Sequence, residues 1–288
     1  MQRDSLHRFV FENTPIRGNT VHLNITFNQA LQYHDYPAPL RMMLGELMAA
    51  SVLLSATLKM DGALILQIQG NGALKLLVVE CTADFGLRAT AKWEGELPAD
   101  FKSMIGDGQC MITLDQKVGE SYQGIVPLEG ETIAEMLENY MQRSQQIDTR
   151  LWLNCDGENA AGMLIQKLPE QPNEDADAWD RITILADTIT NDELQKLAPQ
   201  LLLTRLFGEE TVRLFSAKST QFYCGCNRTK VANMLHMLGK VEIESILAER
   251  SKIEVNCEFC NKQYQFDAVD AAALFIKKAV ASPSTSTH

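Results

Sequence analysis

The sequence predicts an α+β fold in three parts: an N-terminal mixed α/β sheet domain, a helical linker and a small cysteine-containing C-terminal domain. Three observations support this division. Strand-like and helix-like hydrophobic periodicities alternate through residues 1–170. Residues 171–222 show helical periodicity on amphipathic segments. Two close cysteine pairs then fall within residues 223–281, ahead of a Ser/Thr-rich tail at 282–288 that we expect to be disordered.

Length, net charge and the longest apolar stretch limit the classes of protein to which this chain can belong. The 288 residues suit two domains with a small third element. The net charge of −11 is opposite to the basic surface of a nucleic-acid binder, so no specific nucleic-acid partner is expected. The longest apolar stretch, residues 47–58, is shorter than the ~20 residues that cross a bilayer, and the N-terminus lacks a signal-peptide pattern. We therefore expect a cytoplasmic protein with no membrane partner and with reduced thiols.

The N-terminal domain is predicted to contain one long core helix among many strands. Apolar residues at three- and four-residue spacing predict a helix over residues 39–59. The turn Gly70-Asn71-Gly72 between two apolar runs predicts a hairpin, 63–69 with 73–80. An amphipathic helix is expected over 132–143. Other strands are expected at 8–12, 17–23, 87–93, 109–115, 121–126, 149–154 and 162–168.

The linker begins after a proline-rich acidic segment, residues 168–175, which marks a boundary. A first helix is predicted from apolar residues at helical spacing: Trp179, Ile182, Leu185 and Ile189. A second begins at Thr190, where Thr190-Asn191-Asp192-Glu193 matches a capping box, and ends near Gly208. Its apolar stripe consists of Leu194, Leu197, Leu201 and Leu202. These faces have no sheet of their own, so they must dock elsewhere or stay marginally folded.

The C-terminal domain is predicted to be a small zinc-binding unit. Helices are expected over 229–238 and 241–250, and a hairpin is expected from 252–257 and 262–266. Asp267 is predicted to cap a final helix that reaches about residue 279. The remaining cysteines, Cys81, Cys110 and Cys155, lie singly within predicted strands or at their ends, where we expect them to be buried.

Four cysteines supply the metal-ligand set: Cys224, Cys226, Cys257 and Cys260. Two chelating pairs of thiolates fit a closed tetrahedral Zn²⁺ site, which leaves no open position for a substrate. Gly225 relieves the strain of the unusual one-residue spacer. An iron–sulfur cluster and an unligated core of four thiols remain as alternatives on residue type alone.

No enzyme active site accompanies the cysteines. A thioredoxin-like C-x-x-C would open a helix in a βαβ unit, but this one lies between two predicted strands. The sequence lacks H-E-x-x-H, the H-x-E with P-C-x-x-C of zinc deaminases, and G-x-S-x-G. We therefore predict that the protein is not an enzyme.

The metal is predicted to stabilise its domain and to make it sensitive to oxidation. A structural zinc contributes about 10–16 kcal/mol of apparent binding free energy, more than the ~5–15 kcal/mol stability of an ordinary domain. The spacings favour local disulfides, Cys224 with Cys226 and Cys257 with Cys260. Such disulfides leave the two halves of the domain untied, because zinc is the only tether across the thirty residues between the pairs.

Specific motifs are spread from about Asp4 to Phe275. They are Tyr36-Pro37, Leu44-Gly45-Glu46 with Ala49-Ala50, Leu66-Gln67-Ile68-Gln69-Gly70-Asn71-Gly72, Tyr122-Gln123-Gly124-Ile125-Val126-Pro127-Leu128-Glu129-Gly130, Leu151-Trp152-Leu153, Leu202-Leu203-Thr204-Arg205-Leu206-Phe207 and both cysteine pairs, with Phe259 inside the second. Together these motifs resemble the bacterial redox-regulated 33 kDa heat-shock chaperonin family, whose members are oxidation-activated holdases.

The resemblance implies a redox-regulated, ATP-independent chaperone. It implies that the four cysteines bind zinc in an inactive reduced form. Oxidation would then release the zinc, form both local disulfides, loosen the linker and lead to a homodimer that holds unfolding client proteins. We expect the linker side chains that become exposed to clients to be Ile182, Leu194, Leu197 and Leu201.

Two other functions remain open from the residues alone. One is a zinc module with a purely structural metal and a protein or nucleic-acid partner, for which residues 201–250 offer a small basic excess. The other is a thiol–disulfide oxidoreductase, which would need an unligated C-x-x-C with turnover. Reduction of insulin disulfides would distinguish the second.

Overall fold

The computed structural model describes residues 4–169, 175 and 177–276. The chain divides into two compact units, Met1–Tyr223 and Cys224–His288. The mixed α+β class predicted from the sequence is confirmed. Most of the predicted boundary segment 168–175 and the tail at 282–288 lie outside the described residues.

Strands dominate the first unit. In chain order they are β1 (Ser5–Phe11), β2 (Ile16–Leu23), β3 (Ala63–Gly70), β4 (Leu74–Thr82), β5 (Gly86–Trp93), β6 (Gly108–Asp115), β7 (Tyr122–Pro127), β8 (Thr149–Cys155), β9 (Ala160–Lys167), β10 (Val212–Leu214), β11 (Lys218–Ser219) and β12 (Gln221–Phe222). They form two six-stranded sheets. The first has the order β10-β1-β2-β9-β8, with β11 also paired to β1, and the second has the order β12-β5-β4-β3-β6-β7. In the second sheet β12 runs parallel to β5, whereas the other neighbours are antiparallel.

Seven α-helices accompany these sheets among the described residues of the first unit. They are α1 (Ile25–Leu31), α2 (Ala38–Ser55), α3 (Phe101–Ile105), α4 (Ile133–Tyr140), α5 (Ala178–Ala186), α6 (Asn191–Lys196) and α7 (Pro199–Leu206), with a π-helical turn at Met141–Gln145 after α4. The second unit contains α8 (Arg228–Leu238), α9 (Lys240–Glu249), β13 (Lys252–Asn256), β14 (Gln263–Asp267) and α10 (Ala268–Ile276).

The long helix α2 is the centre of the main core, as predicted. It contacts strands of both sheets, and its apolar side chains are buried almost all round. By length and mean hydropathy alone α2 could cross a membrane, but 72% of its residues are buried inside the protein. That burial is typical of a core helix.

The hairpin predicted around Gly70-Asn71-Gly72 is confirmed by the pairing of β3 with β4. A side chain on Gly72 would collide with the backbone of α3, because a Cβ there would lie 2.7 Å from the Met104 carbonyl oxygen. Glycine therefore allows the turn and α3 to approach closely, and the Gly72 N–H donates to the carbonyl of Ile105 over 2.8 Å.

The linker helices form a second core against the first sheet. Phe9, Phe11, Met163 and Ile165 present their side chains on one face of that sheet. The buried side chains of α5, α6 and α7 cover this face: Ala178, Ile182, Ala186, Leu194, Leu202, Leu203 and Leu206. The expectation that these amphipathic helices need a docking surface is confirmed.

Two details of the predicted linker are wrong. The single helix expected from Thr190 to Gly208 is two helices, because Pro199 cannot continue a helix and instead begins α7. Residues 212–222 were expected to be helical but contain β10, β11 and β12, which extend both sheets. The capping box at Thr190 and Glu193 is present as predicted.

The second unit follows the predicted order of elements. Its hairpin β13–β14 packs with three helices around a small core: Leu235, Ile243, Ile253, Tyr264, Phe266 and Ala271. Asp267 caps α10 as predicted, since its carboxylate accepts hydrogen bonds from the N–H groups of Val269 and Asp270. Six buried side chains among the described residues are few for a unit of this size, so an additional tether has a large effect on its stability.

Candidate metal centre

Two local structures hold the paired cysteines of the second unit. Cys224 and Cys226 lie immediately before α8, whose N-terminus is capped by Asn227: its side chain accepts from the N–H of Lys230 over 2.9 Å. Cys257 and Cys260 lie in the turn between β13 and β14. A helix cap and a hairpin therefore fix the two pairs.

The turn at the second pair is closed by backbone hydrogen bonds. The N–H of Cys257 donates to the carbonyl of Lys262 over 3.0 Å, and the N–H of Asn261 donates to the carbonyl of Cys257 over 2.8 Å. Asn261 has φ 53°, in the left-handed region that asparagine tolerates better than most side chains. This geometry allows both thiols of the pair to face one centre.

The four sulfur atoms converge as a metal site requires. All lie within 4.8 Å of one another. The Sγ atoms of Cys224 and Cys257 are 3.7 Å apart, and those of Cys226 and Cys260 are 3.4 Å apart. A Zn–S bond of about 2.3 Å gives tetrahedron edges of about 3.8 Å, so this cluster fits a thiolate-bound zinc closely. Within the described residues it is the one group of three or more potential ligands near enough to share an ion.

The environment favours one thiolate near neutral pH. Burial raises the pKa of the Cys224 thiol, and burial with contacts from neighbouring thiols raises the pKa of Cys260. Burial also opposes ionisation of Cys226, but the Tyr264 hydroxyl and the adjacent thiols outweigh it and lower the pKa of Cys226 to about 7. Since thiolates rather than thiols bind metal, Cys226 is suited to make the first bond.

Two residues that the sequence did not reveal support this cluster. Tyr264 is buried in the core of the unit, and its hydroxyl donates to the sulfur of Cys226 over 3.2 Å. Arg228 lies 4.2 Å from the centre of the Phe266 ring and pairs with Asp270 over 2.7 Å, which ties the start of α8 to α10. Alternation along β14 could have marked Tyr264 as inward-facing, whereas Arg228 has no local signal.

The other three cysteines lie away from this cluster and are buried, as predicted. Burial raises the pKa of Cys81, Cys110 and Cys155 to about 12 in each case. They are therefore thiols at neutral pH, where a nucleophile or metal ligand would need to be a thiolate.

The linker residues expected to meet clients fall into two groups. Ile182 and Leu194 are buried against the first sheet, and Leu197 is half-buried there. Leu201 points to solvent with 60% of its surface exposed, so its expected place on the docked stripe is wrong. Leu202, the other predicted stripe residue on α7, is buried together with Leu203 and Leu206.

Comparison with known proteins decides the family. The sequence profile described as Hsp33 protein matches residues 4–267, which is most of the chain. The chain belongs to the Hsp33 family. The four clustered cysteines could bind a metal ion.

Similarity to named Hsp33 relatives extends over whole chains. The 33 kDa chaperonin of Methylobacillus flagellatus is 59% identical over 281 residues, covering 96% of both chains. That of Chromobacterium violaceum is 47% identical and covers 99% of this chain and 98% of its own. The crystal structure of the Thermotoga maritima Hsp33 homologue superposes with a TM-score of 0.81 at 24% identity, covering 96% of this chain and 99% of that one.

Family membership supports a chaperone with a stress-response role, and no catalytic activity is indicated by the relatives' names. The cysteine cluster is compatible with zinc binding and redox regulation. The α+β fold predicted from the sequence agrees with that of the Hsp33 homologue.

Proposed function

We propose that this protein is a redox-regulated, ATP-independent holdase whose four clustered cysteines bind Zn²⁺ in the inactive reduced state. The observation that carries the proposal is the convergence of Cys224 and Cys226 with Cys257 and Cys260 to within 4.8 Å. Zinc at this centre would link the two halves of the small unit through its coordination bonds and would hold all four sulfurs as thiolates.

Oxidation would remove that tether. Hydrogen peroxide takes two electrons from each cysteine pair, so one S–S bond forms for each peroxide that is reduced to two waters. Four thiolates, two peroxides and four protons give two disulfides and four waters, and Zn²⁺ leaves because disulfide sulfur is a poor ligand. The pairs we propose are Cys224 with Cys226 and Cys257 with Cys260.

Loss of zinc would unfold the second unit. Its core contains six buried residues within the described part of the unit, and the apparent binding free energy of a structural zinc, about 10–16 kcal/mol, exceeds the stability of most domains. The local disulfides close very short loops and leave the thirty residues between the pairs unconstrained. The chain enters this unit at Cys224, directly after the strands that follow the linker helices.

The client surface in this proposal is the apolar interface now hidden beneath the linker. Release of α5, α6 and α7 would expose Ile182, Leu194 and Leu197, and it would uncover Phe9 and Phe11 on the sheet. Leu201 is already exposed and would add to this surface. A contiguous apolar area of this kind binds unfolded chains without sequence specificity.

The partners in this proposal are unfolded or partly folded client proteins. We propose that the activated form is a homodimer and that the protein acts in the cytoplasm, where thiols are normally reduced and oxidation is a stress signal. Specific nucleic-acid and membrane partners form no part of the proposal, in keeping with the net charge of −11.

Aggregation of a heat-unfolding client, followed by light scattering, tests the proposal. The zinc-loaded reduced protein and the peroxide-oxidised protein are compared at the same mild heat. We expect suppression by the oxidised form alone, and Cys110→Ala, which removes a buried thiol outside the cluster, should behave like wild type. Equal results in both redox states would favour a purely structural zinc and would contradict the proposal.

A further inference from the structure

A histidine on the first sheet makes a direct hydrogen bond to the linker. His22 lies on β2, 5% exposed, and its Nε2 is 2.7 Å from the carbonyl oxygen of Leu194 on α6. A carbonyl only accepts, so Nε2 carries the proton and Nδ1 of the neutral ring is the unprotonated nitrogen. Among the described residues, the buried Nδ1 has no hydrogen-bond partner.

We propose that His22 is an acid-sensitive latch, and that protonation of its imidazole by solvent releases α6 from the first sheet without oxidation of any cysteine. The proton adds to Nδ1 and creates a buried, positively charged N–H that has no acceptor within hydrogen-bond distance among the described residues. Burying a charge without a partner is costly, so the charged ring is stable only when the linker has moved away.

The groups around His22 increase this cost. Burial is the largest cause that lowers the pKa of His22, and the bond to the Leu194 carbonyl offsets only part of it. His7 on the neighbouring strand β1 is a second titratable ring of the same sign and lowers the pKa of His22 further. Burial also lowers the pKa of His7, and the backbone of Phe215 offsets only part of that effect. Protonation of either ring therefore disfavours protonation of the other while α6 is docked.

Two charged side chains line the 300 Å³ pocket beside His22. Lys196 on α6 is a further cation, paired with Asp192. Asp156 in the turn between β8 and β9 is engaged by the N–H groups of Glu158 and Asn159. The remaining pocket residues are neutral: Leu23, Asn24, Asn159, Ala160 and Gln195. No carboxylate among the described residues forms an ion pair with His22.

The sign of the pH dependence follows from these facts. The pKa of His22 lies below its ordinary value of 6.5 while α6 is docked and rises towards that value when α6 is released. The released state therefore binds more protons, and docking weakens as the pH falls below 6.5. The link from release to client binding rests on the proposed function, whereas the release itself does not.

Hydrogen exchange of the full, reduced, zinc-loaded protein tests the latch. Protection of the α6 amides, normalised to unstructured amides, is measured between pH 7.5 and 5.5 in wild type, in His22→Gln and in the control His34→Gln. The glutamine amide still donates to the Leu194 carbonyl but cannot be protonated. In wild type and His34→Gln, α6 protection should fall by up to about tenfold per pH unit below 6.5, with β3 and β4 unchanged. In His22→Gln it should stay constant.

Three results would overturn the latch. They are an equal loss of α6 protection in His22→Gln, no loss in wild type, and a loss that β3 and β4 share. Zinc retention, followed with a metallochromic dye, provides a second control: a loss of α6 protection that tracks zinc release in both proteins would assign the acid response to the thiolates. NMR titration of the His22 ring in the wild-type protein tests the latch directly. A titration midpoint at or above pH 6.5 would contradict the proposal.

A client-aggregation assay on the reduced protein at pH 5.5 separates this proposal from the proposed function. Suppression that depends on His22 would support both. Release of α6 without suppression would leave the latch established and would remove the linker interface from the client surface.

Discussion

The rings of Phe11 and Phe207 pack edge to face, with their centroids 4.9 Å apart and an interplanar angle of 85°. Phe11 is the last residue of strand β1, and Phe207 is the residue after the end of α7. Both rings are buried, and together they join the last linker helix to the first sheet. Docking of the linker thus depends on contacts between parts of the chain almost two hundred residues apart.

Removal of one ring should release part of the linker in the reduced protein. Phe207→Ala deletes a buried aromatic side chain, which typically costs about 3–5 kcal/mol. Urea unfolding followed by tryptophan emission should report this loss, because Trp152 and Trp179 pack at the same interface. Leu201→Ala on the exposed face of α7 is the matched control and should change stability by less than about 0.5 kcal/mol. Equal effects of the two changes would contradict the docked arrangement.

Zinc removal should unfold the second unit selectively. A high-affinity chelator under reducing conditions should abolish hydrogen-exchange protection in β13 and β14, because their small core depends on the metal tether. The hairpin β3–β4 in the main core provides the internal reference and should keep its protection. Persistent protection of β13 and β14 without zinc would show that the unit folds unaided.

The disulfides formed on oxidation should be local. Peptide mapping of the peroxide-treated protein should find Cys224 linked to Cys226 and Cys257 linked to Cys260. The closest sulfur pairs in the cluster join opposite halves instead: Cys224 with Cys257 and Cys226 with Cys260. A majority of these cross-links would tie the halves together and would argue against unfolding as the switch.

Glu46 on α2 should make the first unit less stable at alkaline pH. Burial raises the pKa of its carboxyl from 4.5 to about 7, so the folded state favours the protonated form. The contribution of Glu46 to the stability of the first unit is complete below pH 4.5 and is lost as the pH rises through 7. The difference between the two values corresponds to about 3 kcal/mol.

Glu46→Gln should therefore stabilise the protein by about 2–3 kcal/mol at pH 8 and have little effect at pH 5. Urea unfolding of both proteins at the two pH values measures this change in the free energy of unfolding. The exposed Glu96→Gln serves as the control and should leave stability unchanged at both. A gain of the same size at pH 5 would exclude ionisation as its cause.

Elements with local signals were predictable from the sequence. Helix α2 and the β3–β4 hairpin follow from periodicity and turn residues within their own segments. The clustering of the four cysteines had an equally local signal, because the spacing within each pair predicts a chelating turn. The break before α7 also had a local signal, Pro199, which the leucine stripe obscured.

Elements that depend on distant partners were not predictable in this way. Helix α1 has no cap of its own; the carboxylate of Asp4, from the start of the chain, accepts from the N–H groups of Asn24, Ile25 and Thr26. Strands β10, β11 and β12 have two or three residues each and exist because β1 and β5 offer open edges. The bond from His22 to Leu194 likewise arises only from the folded arrangement.

Tryptic cleavage of the linker tests the central claim, that oxidation at the cysteines releases the linker helices. Each helix contains a basic residue, Arg181, Lys196 and Arg205 respectively, and Lys117 in the exposed β6–β7 loop is the internal reference. Mass spectrometry follows cleavage in the zinc-loaded reduced protein and after peroxide treatment. We predict that cleavage at the three linker sites rises sharply on oxidation while cleavage at Lys117 stays the same. Unchanged protection of all three sites in the oxidised protein would contradict it.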